Sequence, residues 1–368
     1  MNAKQSLPQI PQTSDEFTDW AQVEPYAQAL LAANLTAENV NDWLAQWTAL
    51  AKLMIETDAR CRLAAMVNTE DKVAEARFHT FSEAIQPLWL AAEQKFKQML
   101  LASDLQPQGM ETPLRQMRIE AALFSPANLP LFTEEQKLAN EYDNLLGAQT
   151  VAWAGQEVTV EQLKPVSQNL ERSVREDAWR LGSTRQLADR AALNDLWRKL
   201  LTIRQQIATN AGHADYRSFC WQQKVRLDYT PADCLAFHQA IEEVVVPAAE
   251  RIQARRRQQL GVETLRPWDL DVDPQGHAPL CPFGDVAELE RKTAAIFQQI
   301  DPALGARFEM MRQARLLDLD NRKGKAPDAG NCTFFPIVGH PFIFMNAVGL
   351  RRDVEILLHE VGHAFHEL

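Results

Sequence analysis

Residues 353–368 form the most informative segment of the chain, Asp353-Val-Glu-Ile-Leu-Leu-His359-Glu360-Val-Gly-His363-Ala-Phe-His366-Glu-Leu368. It contains the pattern His-Glu-x-x-His. Residues four apart on a helix lie one turn above each other on the same face, so the imidazoles of His359 and His363 can converge on one zinc ion. Glu360 then stands beside the water that such an ion binds. The spacing therefore predicts an element of a metal site.

The residues around the pattern favour a helix. Asp353 is a predicted N-cap, and apolar residues recur with helical spacing at Val354, Leu357, Leu358, Val361 and Phe365. Two other interpretations stay open on these residues alone, because the pattern arises by chance in some chains and because histidines also serve as polar packing groups.

The sequence supplies no third zinc ligand. His366 falls on the same face, but three side chains on successive turns span about 10 Å along the axis. Zinc ligands lie about 2 Å from the metal, so we interpret His366 as a neighbour of the site. A catalytic zinc ion usually has three protein ligands and an open position for water. Glu367 is predicted to point away, and no upstream Glu shows a characteristic spacing.

Composition excludes several classes of protein. The 368 residues carry 38 Lys and Arg against 49 Asp and Glu, a formal charge of −11 that argues against nucleic-acid binding. The five cysteines are widely spaced and form no Cys-x-x-Cys, which favours a reducing compartment. The first residues lack the apolar run of a secretory signal, and the longest uncharged stretch, 329–350, is broken by Pro and Gly. We expect a cytoplasmic protein without a membrane span.

The rest of the chain is predicted to be mostly helical. Apolar spacing predicts long helices from Ser14 to Asp104, and a Pro-containing stretch at 104–113 is a candidate linker. We interpret Asp269, Asp271 and Asp273 as part of a turn-rich loop. Further predictions are a helix opened by a capping box at Thr133–Gln136, a hairpin at 150–160, a helix from Thr230 to Gly261, a helix at 285–300, and strands at Cys332–Phe335 and Phe342–Met345.

At this point the sequence resembles the oligoendopeptidase F and thimet oligopeptidase family of zinc metallopeptidases. The resemblance rests on Leu265-Arg-Pro-Trp-Asp-Leu270, Asn321-Arg-Lys-Gly-Lys-Ala-Pro327, Pro341-Phe-Ile-Phe-Met-Asn346 and the His359 motif, in the family's order. It implies a mostly α, zincin-like bowl of two helical lobes with a small β-sheet near the active site. It also implies that the segment before the motif is an edge strand for peptides, that His359 and His363 bind one Zn²⁺, and that Glu360 is the general base.

The resemblance also implies what the printed sequence lacks. The family's third ligand is a Glu on the helix after the motif helix, and its substrate-binding His and Tyr residues follow later still. We therefore expect an N-terminal lobe at 1–204, with a possible sub-boundary near 104–113, and an incomplete catalytic domain at 205–368. No substrate-binding residue can be named.

The first functional hypothesis is a zinc-dependent endo-oligopeptidase of the cytoplasm that hydrolyses short peptides. With two imidazoles alone, we expect weak zinc retention and little turnover. The second is a catalytically silent helical scaffold that binds peptides or a partner, such as a complementary C-terminal segment, because the apolar face of the motif helix would otherwise be exposed. The third is a helical adaptor in which the motif is accidental.

Overall fold

Helices dominate the computed structural model, which describes residue 10 and residues 17–327 and 330–368. Predicted and observed fold class agree: the molecule is mostly α, with small sheets. The α-helices of the described residues are α1 (Glu24–Leu31), α2 (Val40–Val67), α3 (Lys72–Thr80), α4 (Gln86–Ala102), α5 (Glu111–Leu123), α6 (Leu129–Gly147), α7 (Arg172–Ala188), α8 (Arg190–Asn210), α9 (Tyr216–Gln223), α10 (Pro231–Ala240), α11 (Val246–Leu260), α12 (Val286–Ile300), α13 (Pro302–Gln313) and α14 (Arg351–Glu367).

Two small sheets accompany the helices. Their strands are β1 (Thr150–Trp153), β2 (Gln156–Thr159), β3 (Leu317–Asp320), β4 (Gly330–Phe335) and β5 (His340–Ala347). Strands β1 and β2 form the predicted hairpin, whose two turn residues, Ala154 and Gly155, have φ of 49° and 80°. Positive φ at both positions is typical of the tight turns that match strand twist.

The N-terminal helices pack around an aromatic core. Trp43 and Trp47 of α2 meet the ring of Phe96 of α4 edge-on, with ring centroids 6.1 and 5.7 Å apart. These helices confirm the prediction for this region, although Ser14 lies outside the described residues. The candidate linker is a loop that ends earlier than predicted, because α5 begins at Glu111.

In two places a single turn of π-helix joins two α-helices without an intervening loop. Residues Phe81–Ile85 join α3 to α4, and Ile241–Val245 join α10 to α11. Pro87 and Pro247 follow directly, and a wider turn accommodates a residue that has no N–H and whose ring crowds the preceding turn. The predicted ends of the second pair are confirmed, with a capping box at Thr230 and Gly261 left-handed at φ 65°.

The predicted capping box at Thr133 is wrong. Helix α6 begins at Leu129, so Thr133 lies inside it and its hydroxyl donates to the carbonyls of Ser82 and Leu129. The bond to Ser82 joins residues 51 positions apart. The Thr133 hydroxyl, which the local pattern predicts to cap a helix, therefore makes a tertiary contact instead.

The second sheet has the strand order β3-β5-β4, with β5 parallel to β3 and antiparallel to β4. Strand β5, which directly precedes the motif helix, is therefore the central strand. The expectation that this segment forms the edge is wrong for β5. Within the described residues, β4 is the edge strand beside α14.

Hydrogen bonds connect helix α2 of the N-terminal part directly to the residues around this sheet. The carboxylate of Glu56, 2% exposed, accepts the N–H groups of Ile337 and Val338 at the β4–β5 turn, at 2.6 and 3.2 Å. The same helix approaches the loop after β3, where Ala326 donates to the carbonyl of Met66. The division at 204/205 falls inside α8 and stays a prediction.

All five cysteines lie within the described residues and carry free thiols, as expected from their spacing. In the part of the chain that the structure describes, no helix is long and apolar enough to cross a bilayer.

Candidate metal centre

The two motif histidines lie on successive turns of α14 and face the same point. Their Nε2 atoms are 3.0 Å apart, and the ring planes are nearly perpendicular, at 86°. Both side chains are exposed. The predicted convergence of His359 and His363 is therefore present in the geometry, because two nitrogens at this separation can each lie about 2.0–2.1 Å from one zinc ion.

Asp353 fixes the start of this helix, but not as its N-cap. The helix begins at Arg351, which places Asp353 in its first turn. Its Oδ2 accepts the N–H groups of Val348, Gly349 and Leu350 at 2.8, 2.9 and 2.8 Å. The turn before the helix, with Gly349 at φ 99°, folds these three donors around one carboxylate oxygen. The predicted cap is therefore corrected to an acid that binds the preceding turn.

The apolar face of α14 is buried, contrary to the expectation that it would be exposed. Leu357, Val361 and Ala364 are fully buried in a core that includes Phe308 of α13 and Ile343 of β5. Burying a Leu or Val side chain contributes about 1.5–3 kcal/mol, so this face holds the helix firmly against the sheet. The histidines occupy the opposite, exposed side.

Glu360, between the two histidines in the sequence of α14, lies against β4 and is 8% exposed. The close approach requires the glycine at position 330. A Cβ placed on Gly330 would lie 2.5 Å from Cγ2 of Ile356 and 3.0 Å from Oε1 of Glu360. Only a residue without a side chain lets the helix seat the carboxylate at this place.

Besides burial, the charge of the Glu360 carboxylate also raises the pKa of the Cys332 thiol, two residues after Gly330 on β4. Burial raises the pKa of Cys332 to about 11, and the negative charges of Glu360 and Glu367 add to the effect. The thiol is therefore neutral at pH 7, whereas a metal ligand or nucleophile needs the thiolate.

A catalytic zinc ion needs more than these two ligands. Within residues 10, 17–327 and 330–368, no group of three or more His, Cys, Asp or Glu side chains could hold a metal ion. The donor set at His359 and His363 suits zinc in chemistry and spacing, but it is a pair. The roles of His359, Glu360 and His363 stay predictions, as does the exclusion of the exposed His366.

The pairing of β4 shows which backbone groups face its open edge. Ile343 of β5 donates to Leu316 on the β3 side, so Phe342 and Phe344 turn their N–H groups toward β4. Their partners there are Thr333 and Asn331. The backbone groups of Cys332 then point away from β5, along the edge beside α14.

Sequence reasoning missed Gly330 and the role of Asp353. The sequence shows a glycine just before an apolar strand, which could indicate a close approach at Gly330. The residue that makes this approach, Glu360, lies thirty positions later on α14. Only the assembled sheet and helix show what the glycine admits.

Solved structures share this fold. PZ peptidase A, solved with an inhibitor, is 24% identical, with a TM-score of 0.88 over 99% of this chain and 64% of its own. A protein from Bacillus anthracis str. Ames assigned as an oligoendopeptidase F is 23% identical, with a TM-score of 0.88 over 99% of this chain and 66% of its own. The chain thus spans slightly less than two thirds of the length of these structures.

No curated protein matches the chain. The sequence profile of peptidase family M3 matches residues 166–368, more than half of the chain and including the whole of β4, β5 and α14. These residues contain all four segments that carry the resemblance to oligoendopeptidase F. The chain belongs to peptidase family M3.

Proposed function

We propose that this chain is the zinc-binding part of an endo-oligopeptidase that hydrolyses peptide bonds in short peptides. The observation that carries the proposal is the geometry of α14, which holds two Nε2 atoms 3.0 Å apart and a buried Glu that lies against the edge strand β4. A bound zinc ion would polarise the scissile carbonyl and lower the pKa of water.

The chain's own residues have three tasks in this reaction. His359 and His363 would hold the ion. Backbone groups of β4, including those of Cys332, would align an extended peptide by strand addition, so that its backbone runs past the histidines. Glu360 would take the proton from the attacking water at its carboxylate and return it to the leaving amine.

The described residues bring only two ligands together, so we expect the chain alone to retain zinc weakly and to turn over little. The resemblance places the third ligand, a Glu, on the helix that follows the motif helix in the family. A complementary C-terminal segment carrying that Glu is therefore the partner we propose. We also propose a cytoplasmic location, no nucleic-acid partner and no membrane association.

The experiment measures zinc content and cleavage of an unstructured peptide, for the chain alone and co-expressed with a segment carrying the family's Glu. We expect one equivalent of tightly held zinc and cleavage only in the mixture. His359→Ala should remove the metal, and Glu360→Gln should retain the metal but abolish cleavage. His366→Ala is the matched control, an exposed histidine of the same helix that should change neither.

Other outcomes would favour other functions. Tight zinc and Glu360-dependent cleavage by the chain alone would contradict the expected need for another ligand. Peptide binding without zinc in either sample would favour a silent scaffold. Unchanged zinc content in His359→Ala would favour an accidental motif.

A further inference from the structure

A cavity of about 420 Å³ lies beside β4 on the face of the sheet away from α14. Its walls come from three N-terminal helices and from the start of the edge strand. The residues that matter for its chemistry are Arg62 and Met66 of α2, Phe78 of α3, Gln136 and Asp143 of α6, and Asn331 of β4. We call it the Gln136 cavity.

The alternation of side chains along β4 connects this cavity to the edge of the strand. The missing Cβ of Gly330 points at α14, and Cys332 packs against the core that α14 shares with the sheet, so these positions face the metal centre. Asn331 lies between them and lines the cavity, while Phe335 lies beneath the guanidinium of Arg60 of α2. Odd and even positions of β4 therefore face the helical wall and the metal helix, respectively.

A peptide added along the edge of β4 would follow the same alternation. Residues directly opposite each other in neighbouring strands share a face. The peptide residue opposite Asn331 would therefore turn its side chain toward the Gln136 cavity, while its neighbours turn theirs toward α14. The cavity would therefore receive the side chain of one peptide residue, and the next residue of the peptide would face the metal centre.

The chemistry of the walls favours a long side chain that ends in a hydrogen-bond donor. Oε1 of Gln136 is a buried acceptor without a hydrogen-bond partner in the described part of the chain. The cation of Arg62 is compensated by Asp58, at 2.9 Å, and Met66 and Phe78 supply apolar surface for an aliphatic stem. This oxygen is closed to water in the free chain, so a ligand donor would reach it once the Gln136 amide turns into the cavity. The pairing would then recover the cost of about 1–3 kcal/mol that a buried, unpaired polar atom carries.

We propose that the Gln136 cavity is a specificity subsite that takes a Lys, Arg or Gln side chain of a peptide bound along β4. The inference rests on the proposed function, because it needs a peptide at this edge. It adds which side chains of that peptide the chain selects and which residue selects them.

The experiment measures binding of labelled, unstructured peptides to the metal-free full chain by fluorescence anisotropy, so that cleavage cannot interfere. Each peptide carries one Lys, moved through the sequence, and is paired with a peptide carrying norleucine, which keeps the stem and lacks the ammonium group. At one position we expect Lys to bind about tenfold tighter than norleucine, the effect of one charged hydrogen bond.

Three variants locate the selection. Gln136→Leu should abolish the difference between Lys and norleucine, and Gln136→Glu should enlarge it. Gln253→Leu, at an exposed position of α11, is the matched control and should leave it unchanged. Because the Lys and norleucine peptides are compared on the unchanged chain, the test does not depend on the folding of a variant.

The proposal is overturned if Lys and norleucine bind equally at every position, if the preference survives in Gln136→Leu, or if no peptide binds. The proposed function is judged separately by zinc content and by Glu360-dependent cleavage. Peptide hydrolysis without a Gln136-dependent preference would refute the subsite and leave the proposed function standing.

Discussion

Removal of the Asp353 carboxylate should release the start of the helix that carries the metal-site residues. Its side chain is 5% exposed, and one oxygen accepts three N–H groups within 2.9 Å. A hydrogen bond to a charged group contributes about 1.5–3 kcal/mol, but three bonds that share one oxygen do not add fully. For Asp353→Ala we expect a local loss of about 3 kcal/mol.

Hydrogen exchange by mass spectrometry measures this loss where it occurs. A loss of about 3 kcal/mol corresponds to a decrease in amide protection of on the order of 100-fold. The decrease should appear in peptides that cover 348–356, and it should be smaller near the buried Leu357 and Val361. Exchange is preferred to a global unfolding curve because a chain of this size is not expected to unfold in one step.

The matched control is Glu355→Ala on the same helix. Its ion pair with Arg351 is exposed on both sides, and such pairs contribute about 0–1 kcal/mol. Its protection should therefore fall by less than about fivefold. If Asp353→Ala changes the exchange of 348–356 no more than Glu355→Ala does, the three hydrogen bonds do not hold this helix start.

Three further substitutions test other contacts. Gly330→Ala should lower the thermal midpoint, because its Cβ meets Ile356 at 2.5 Å and overpacking costs about 1–3 kcal/mol; an unchanged midpoint would show that α14 can shift. Glu56→Gln should raise exchange at the β4–β5 turn, since a neutral amide bonds more weakly to its two N–H groups, while the exposed Glu355→Gln should not. Burial lowers the pKa of Lys325 to about 8, so the folded chain binds fewer protons than the unfolded chain between pH 8 and 10.5. Urea midpoints should therefore rise with pH across this range, and Lys325→Met should reduce the rise; equal pH slopes would contradict the shift.

Local patterns predict the elements whose stability is local. The hairpin at 150–160 and the helix from Thr230 to Gly261 have caps and turns supplied by residues within a few positions, and both are confirmed. The same holds for α14, where the spacing of His359 and His363 alone brings the two rings onto one face.

Contacts between distant parts of the sequence explain the differences. The sequence predicts a turn-rich loop around Asp269, yet Asp269 is fully buried because Arg172 and Arg175, nearly a hundred positions earlier, bind its carboxylate. Although burial by itself opposes the charged form, the hydrogen bonds of Arg172, of the Arg266 N–H and of Arg175 hold the pKa of Asp269 below its usual range. No local spacing marks such a site.

The order of the second sheet has the same origin. Strand β3 pairs in parallel with β5, and the connection from β3 to β4 crosses over β5, so adjacency in sequence suggests a wrong neighbour. That crossover makes β5 central and leaves β4 at the edge, with Gly330 against Glu360 and Asn331 against the N-terminal helices. Both faces of the candidate site thus depend on one strand whose position is set by tertiary pairing, while the motif that announces the site is entirely local.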